Sequence, residues 1–326
     1  MQRDLYIDFL RAFGLLMLVV AHTNAPSWIF AFRTFDVPLM VFVSALCYKP
    51  LMGGVLAYIW KRFKRIYIPV SIFLVLFFTA ELLINLLIGK PHIDTNTIIG
   101  SFLLLNYPSI GYVWIMRVFL MMAFIIPLLH CLAKKLSFYW ICGLIFGTIF
   151  IQSFIVMAID SLDNVILRFV MEETVPYAIG YSTFSILGLK IKDFKSSQLL
   201  IFIVLCGLII GICLIGENFH FNPQRYKYPP QSLYLIYGLF MCAVMFAIKP
   251  LLERFIQHRF IEYLSTHSMW IYLWHIIPVY LISPWMNMPN FWALRYVFVT
   301  LFALGLNFAY EALIRHFPVR VRNAIK

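Results

Sequence analysis

The stretch RDLYIDFLRAFGLLMLVVAHT, residues 3–23, decides the fold. From residue 5 to 23 it is an apolar run of about the 20 residues that a helix needs to cross a bilayer. No A-x-A-like cleavage site follows it and no soluble domain precedes it, so it reads as a retained span and not a signal peptide. Three ionisable side chains interrupt the run: Asp8, Arg11 and His22. Charge inside a span is costly and marks a functional candidate. Asp8 and Arg11 are three apart and can pair on one helix face. Arg11 and His22 are eleven apart, which at about 100° per residue leaves them about 20° off a common stripe, some 16 Å apart along the axis. A lone histidine at a helix end is ordinarily an interfacial hydrogen-bonding residue; the arginine on its stripe shifts the reading towards function.

Working outward, the same pattern fills the chain. Of 326 residues, 63% are apolar and 12% charged, against about 45–50% and about a quarter in ordinary globular domains. That excludes disorder, fibres and a soluble disulfide scaffold. Ten segments qualify as spans, at 5–23, 35–53, 66–89, 112–132, 138–159, 172–190, 198–216, 230–248, 263–284 and 291–314. The apolar piece around 97–106 is too short to cross and reads as re-entrant or interfacial. The expected architecture is an all-α bundle of about ten transmembrane helices in one domain, 1–326.

The formal net charge of +12 sorts by side. Arg3, Lys61, Arg62, Lys64, Arg65, Lys134, Lys135, Lys190, Lys192, Lys195, Lys249, Arg254, Arg259, Arg315, Arg320, Arg322 and Lys326 fall on one face of the membrane. Only Arg33, Lys90, Arg168, Arg225 and Lys227 fall on the other. The positive-inside rule then places both termini in the cytoplasm of a cell inner (plasma) membrane. The charge is mostly topology, and nucleic acid is not an expected partner. The six cysteines lie in spans or at their cytoplasmic ends, so no disulfide framework is implied. No metal-ligand spacing and no nucleotide-binding loop occurs, so neither a metal nor an ATP-driven pump is expected.

Other polar positions recur inside the spans. KRFKRIYIP (61–69) opens the third span and places Arg62 and Arg65 on one face. Its bland reading is a topological signal that also attracts anionic lipid headgroups; its sharper one is a phosphate site. Ser268, Tyr272 and His275 follow an i, i+4, i+7 spacing, one face of the ninth span. Trp114 and Arg117 lie near the outer end of the fourth span. Asp36 and Pro38 lie at the outer end of the second, and Ser44 midway along it. Glu81 and Glu311 fall in the third and last. Each alone could be a satisfied interhelical hydrogen bond; together they describe a polar interior. The polar, aromatic outer loop 217–229 is either substrate-facing or an ordinary connector with interfacial tyrosines.

These segments resemble the integral-membrane acyltransferase-3 family along almost the whole chain. RDLYIDFLRAFGLLMLVVAHT is similar to its opening, a basic residue and a histidine separated by ten positions, with Arg11 and His22 in place. DVPLMVFVSALCY is similar to its second-span Phe-Val-Ser-Gly segment, although Ala45 stands where the family has Gly. KRFKRIYIP resembles its Arg-x-x-Arg element, YVWIMRVFLM its Trp segment, and LSTHSMWIYLWHIIP its late Ser…Tyr-x-x-His segment. The resemblance implies transfer of an acyl group, usually acetyl from cytoplasmic acetyl-CoA, to hydroxyls of a cell-surface glycan or lipid-linked sugar. It implies that Arg62 and Arg65 bind the donor's phosphates, with His22 as catalytic base and Arg11 its partner on the acyl path. Asp8, Asp36, Ser44, Trp114, Arg117, Ser268, Tyr272 and His275 are substrate or pore candidates. The expected partners are acetyl-CoA, the glycan acceptor and membrane lipid, with a homo-oligomer an open option. The rival reading is a transporter or flippase of an anionic lipid or sugar phosphate, which would often carry an internal repeat; no repeat with a clear period occurs.

Overall fold

The computed structural model describes residues 4–89, 94–216, 218–252, 259–283 and 291–316. Among the described residues no strand forms, as the all-α expectation requires. The helices are α1 (Leu5–Val20), α2 (Ser27–Phe32), α3 (Asp36–Leu46), α4 (Gly54–Leu87), α5 (Thr95–Phe102), α6 (Trp114–Ala133) and α7 (Phe138–Asp160). They continue as α8 (Val165–Lys190), α9 (Ser196–Gly216), α10 (Ser232–Ala247), α11 (Lys249–Leu252), α12 (Arg259–Thr266), α13 (Ser268–Ile282) and α14 (Trp292–Arg315). Of the basic residues in the charge pattern, Arg3, Lys90, Arg254, Arg320, Arg322 and Lys326 lie outside the described residues.

Among the described residues, six stretches are long and apolar enough to cross a bilayer: Ser27–Leu46 taken through its 3-10 turn, α4, α6, α7, α9 and α14. Each expected span has a helical counterpart, but the other four fall short of that standard. α1 and α10 have 16 residues and α13 has 15, a rise of about 24 Å or less against about 30 Å of hydrocarbon. α8 is longer but carries Arg168, Glu172, Glu173 and Lys190.

Several boundaries differ from the sequence reading, among them the end of the second span at Leu46 and the start of α8 at Val165, and three bear on the candidate residues. α1 starts on an Asp4 cap, whose carboxylate accepts the Tyr6 and Ile7 amides at 3.0 and 3.4 Å, and it ends at Val20. There the amides of Ala21, His22 and Thr23 bond back three residues. The Thr23 hydroxyl donates to the Val20 carbonyl at 3.0 Å, and Asn24 takes a left-handed φ of 52°. Hydroxyl and amide side chains at a chain end compete for the backbone and stop the helix. His22 therefore stands just past the helix in a tightened turn, which widens its offset from Arg11 to about 60° and the axial gap to about 17 Å. The third span begins at Gly54 (φ 79°) and not at 66, so Arg62 and Arg65 lie well inside α4. The ninth span is broken at His267 into α12 and α13.

The chain packs as two units, Met1–Pro50 with Phe124–Ser268, and Leu51–Ala123 with Met269–Lys326. In the first, α3 is enclosed by α1, α8 and α10, and Val37, Leu39, Val41, Phe42 and Val43 are fully buried. Helices in lipid associate by close packing more than by hydrophobic driving force, and small residues permit it. A Cβ on Gly188 of α8 would stand 2.4 Å from the Phe42 carbonyl oxygen of α3. In the second unit, Tyr67 of α4 donates to the Phe102 carbonyl at the end of α5 at 3.2 Å, and Ser101 accepts the Ile110 amide at 2.9 Å. α13 meets α14 through the Trp270 and Tyr310 rings, 4.3 Å apart, and meets α4 through Trp274 and Phe73, edge to face at 5.9 Å.

Candidate functional site

Asp8 sits on the first buried turns of α1. Its carboxylate accepts the Ser265 hydroxyl of α12 at 2.6 Å and lies 4.0 Å from the Arg11 guanidinium. The i, i+3 spacing on a helix makes that pair, as read from the sequence. The other Arg11 branch donates to the Cys47 sulfur just after α3, at 3.2 Å. One arginine thus ties α1 to the end of α3 while its carboxylate ties α1 to α12. Asp8 is only 3% exposed, so its charge depends on these partners. Ser44 lies half-buried one turn before Cys47, on the same face of α3 by its spacing. At the other end of α1, His22 is half-buried in its turn.

Ser265 and Cys47 were not among the sequence candidates. The late Ser…Tyr-x-x-His pattern points to Ser268, which is half-buried at the first position of α13; the serine that reaches Asp8 is three residues earlier. The only sequence signal was LSTHS itself, which offers both.

A second polar group lies at the start of α3. Asp36 is fully buried. It accepts from Arg33 at 2.7 Å, from the Lys227 ammonium at 3.4 Å and from the Val37 amide at 2.7 Å. Arg33 also donates to Gln224 at 3.1 Å and stacks on Phe30 at 4.1 Å. Both cations are 2% exposed, so they serve a buried cluster and are not solvated loop charges. The cause is local: α2 and its 3-10 turn fold the chain before α3, so Arg33 comes under the loop that bears Lys227. The Asp36 carboxylate is shared by the two cations, and the Arg33 Nε has no hydrogen-bond partner among the described residues.

Lys227 belongs to the loop between α9 and α10. Burial pushes its ammonium down to about 8; Arg33 adds to that push, while Asp36 opposes it. An unfolded lysine titrates near 10.4, so from about pH 8 to that value the unfolded chain binds a proton that the folded one has released. Stability should therefore rise with pH across that window. Thermal unfolding in detergent between pH 7.5 and 10 should show the rise in the natural protein and a flatter profile in Lys227→Met. Identical profiles would mean that Lys227 keeps its proton.

In the second unit, Tyr272 donates to the Tyr112 carbonyl and the His275 Nδ1 donates to the Tyr272 carbonyl. His275 is fully buried, with its ring edge-on to Tyr112 at 6.2 Å between centroids. Trp114 and Arg117 are buried on the first turn of α6, at 4% and 9% exposure. Glu81 lines an apolar cavity of about 390 Å³ with Phe73, Phe77, Trp274 and Tyr280. In the long α4, Arg62 lies over the Tyr58 ring at 5.4 Å and Arg65 is exposed. Their spacing keeps both guanidiniums on one side of the helix.

Each unit carries polar groups in an apolar setting: the first a carboxylate-held arginine and an imidazole along and just past α1, the second a paired basic element on α4. The family model for an acyltransferase domain (Acyl_transf_3) matches residues 4–312. No curated protein and no solved structure matches the chain. The match lends nothing to the transporter reading. Since it runs from the Asp4 cap into α14, through both packed units, the chain belongs to the acyltransferase-3 family and is a multi-pass membrane acyltransferase.

Proposed function

We propose that the protein transfers an acetyl group from cytoplasmic acetyl-CoA to a hydroxyl of a cell-surface glycan or lipid-linked sugar, across a plasma membrane. The observation that carries this reading is the Ser265–Asp8–Arg11 group, with Asp8 and Ser265 buried, on the helix whose C-terminal turn bears His22. An arginine is held in a membrane helix only where it has work and a partner. In this scheme the ten crossings consist of the six long stretches with α1, α8, α10 and α13, and both ends are cytoplasmic.

The roles follow from chemistry. CoA is multiply anionic and cannot enter hydrocarbon, so its phosphates need a fork of donors such as Arg62 and Arg65. His22 takes the proton of the acceptor hydroxyl, whose oxygen attacks the thioester carbonyl carbon; the C–S bond breaks, and the proton passes to the leaving CoA thiolate. Arg11, about 17 Å from His22 along the helix, is too far to act on the same reacting carbon. It serves the donor's passage or position, with Asp8 and Ser265 fixing its side chain. The remaining candidates, Asp36, Ser44, Trp114, Arg117, Ser268, Tyr272 and His275, shape the polar interior.

The test is purified protein in detergent with acetyl-labelled CoA, with and without a membrane glycan extract. Label should move to glycan and free CoA should appear; neither occurs with a carrier. In the same assay, Arg62→Ala with Arg65→Ala should weaken acetyl-CoA binding by at least about tenfold, one to two charge-assisted hydrogen bonds, and make it less sensitive to salt. Unchanged affinity would return the two arginines to topology alone.

A further inference from the structure

At the His22 end of α1 a polar cleft opens that the proposed chemistry has not used. It has a volume of about 750 Å³ and lies between α2 and the loop that follows α9. Ser27 and Trp28 line it on one side, and Asn218, His220, Asn222 and Arg225 on the other. Trp28 is 71% exposed, a broad apolar plate among donors and acceptors.

We infer that this cleft is the acceptor subsite, holding a sugar ring of the glycan against Trp28. The inference rests on the proposed glycan acyltransferase function and names where that acceptor binds. A sugar ring has two apolar C–H faces and a rim of hydroxyls. It therefore needs a flat apolar surface bordered by groups that both donate and accept, which Trp28 with two amides, an imidazole, a hydroxyl and a guanidinium provides. The volume falls in the range of about 300–1,000 Å³ usual for small-molecule sites.

Position favours the same occupant. Ser27 follows His22 by five residues, so the cleft wall begins within about 18 Å of the His22 Cα even with the chain extended. It lies at the opposite end of α1 from Asp8 and Arg11, where an acceptor can approach without crossing the donor's path. The walls are also fixed before binding. Beneath them, Arg33 holds Gln224 at 3.1 Å and Asp36 joins Lys227 at 3.4 Å. Tyr237 donates to the Phe32 carbonyl at 2.6 Å. The buried ion cluster therefore tacks α2 to the loop, and a cleft with fixed walls binds without the cost of ordering them.

The labelled-transfer assay tests this with Trp28→Ala, Trp28→Phe and Asn222→Ala, titrating glycan extract and acetyl-CoA separately. Trp28→Ala should raise the half-saturating glycan concentration about tenfold and leave the half-saturating acetyl-CoA concentration unchanged; Trp28→Phe should restore most of the loss. Unchanged glycan dependence in Trp28→Ala and Asn222→Ala overturns the subsite. So does an equal change for glycan and donor, which would make Trp28 an interfacial anchor. If Trp28→Ala does not accumulate in the membrane, the exposed Asn222 carries the test alone. If the unaltered protein transfers no label to glycan at all, the proposed function itself fails and the subsite falls with it.

Discussion

Replacing His22 with alanine should lower label transfer to glycan by about 10²- to 10⁴-fold, the range that a positioned general base contributes. The protein should accumulate normally, because the backbone and Thr23 hydroxyl bonds that end α1 persist in the alanine variant. The turn is made by backbone bonds of Ala21, His22 and Thr23, by the Thr23 hydroxyl and by the left-handed Asn24. Alanine at position 22 preserves the amide that bonds to the Val19 carbonyl at 3.0 Å. Loss of transfer with acetyl-CoA affinity unchanged would place His22 in the chemical step and not in donor binding. Full activity in His22→Ala would remove it as the base. The acceptor would then have to lose its proton elsewhere, and the polar group at the start of α1 would be the next place to look.

The sequence shows what is local. Asp8 and Arg11 are three residues apart, and helix geometry pairs them whatever surrounds the helix. The all-helical class follows from apolar runs that leave no room for alternation. What it does not show is long-range. Ser265 reaches Asp8 from 257 positions away, and no periodicity in either segment announces that. Arg33 and Lys227 look like loop charges because positive-inside counting treats every basic residue outside a span as solvated. Their burial depends on α2 doubling the chain back under a loop nearly 200 residues later. Helix ends are the other weak point. The offset between Arg11 and His22 assumes one uniform helix, and the Thr23–Asn24 stop breaks that assumption by two residues. The start of α4 at Gly54 is hidden likewise, since VLAYIWKRFKR is too polar for a span yet entirely suited to a helix projecting from one.

Asp36→Ala should be the most destabilising single change in the cluster at the start of α3. The carboxylate pairs with two buried cations, Arg33 at 2.7 Å and Lys227 at 3.4 Å. Removing one member of a buried ionic group costs about 3–5 kcal/mol because the charge left behind is uncompensated. Here the loss takes the carboxylate from two cations at once, and the Val37 amide loses its 2.7 Å acceptor as well. Asp36→Asn keeps that acceptor but not the charge, so it should fall between the alanine variant and the natural protein. The sign of the charge, and not the size of the side chain, should govern recovery: adding Lys227→Met to Asp36→Ala should restore part of the lost stability by removing one of the two cations. Thermal unfolding in detergent measures all three. A midpoint for Asp36→Ala equal to that of the natural protein would show that water or lipid headgroups reach Arg33 and Lys227 despite their burial. The cluster would then not be what tacks α2 to the loop, and the fixed walls of the cleft above it would need another cause.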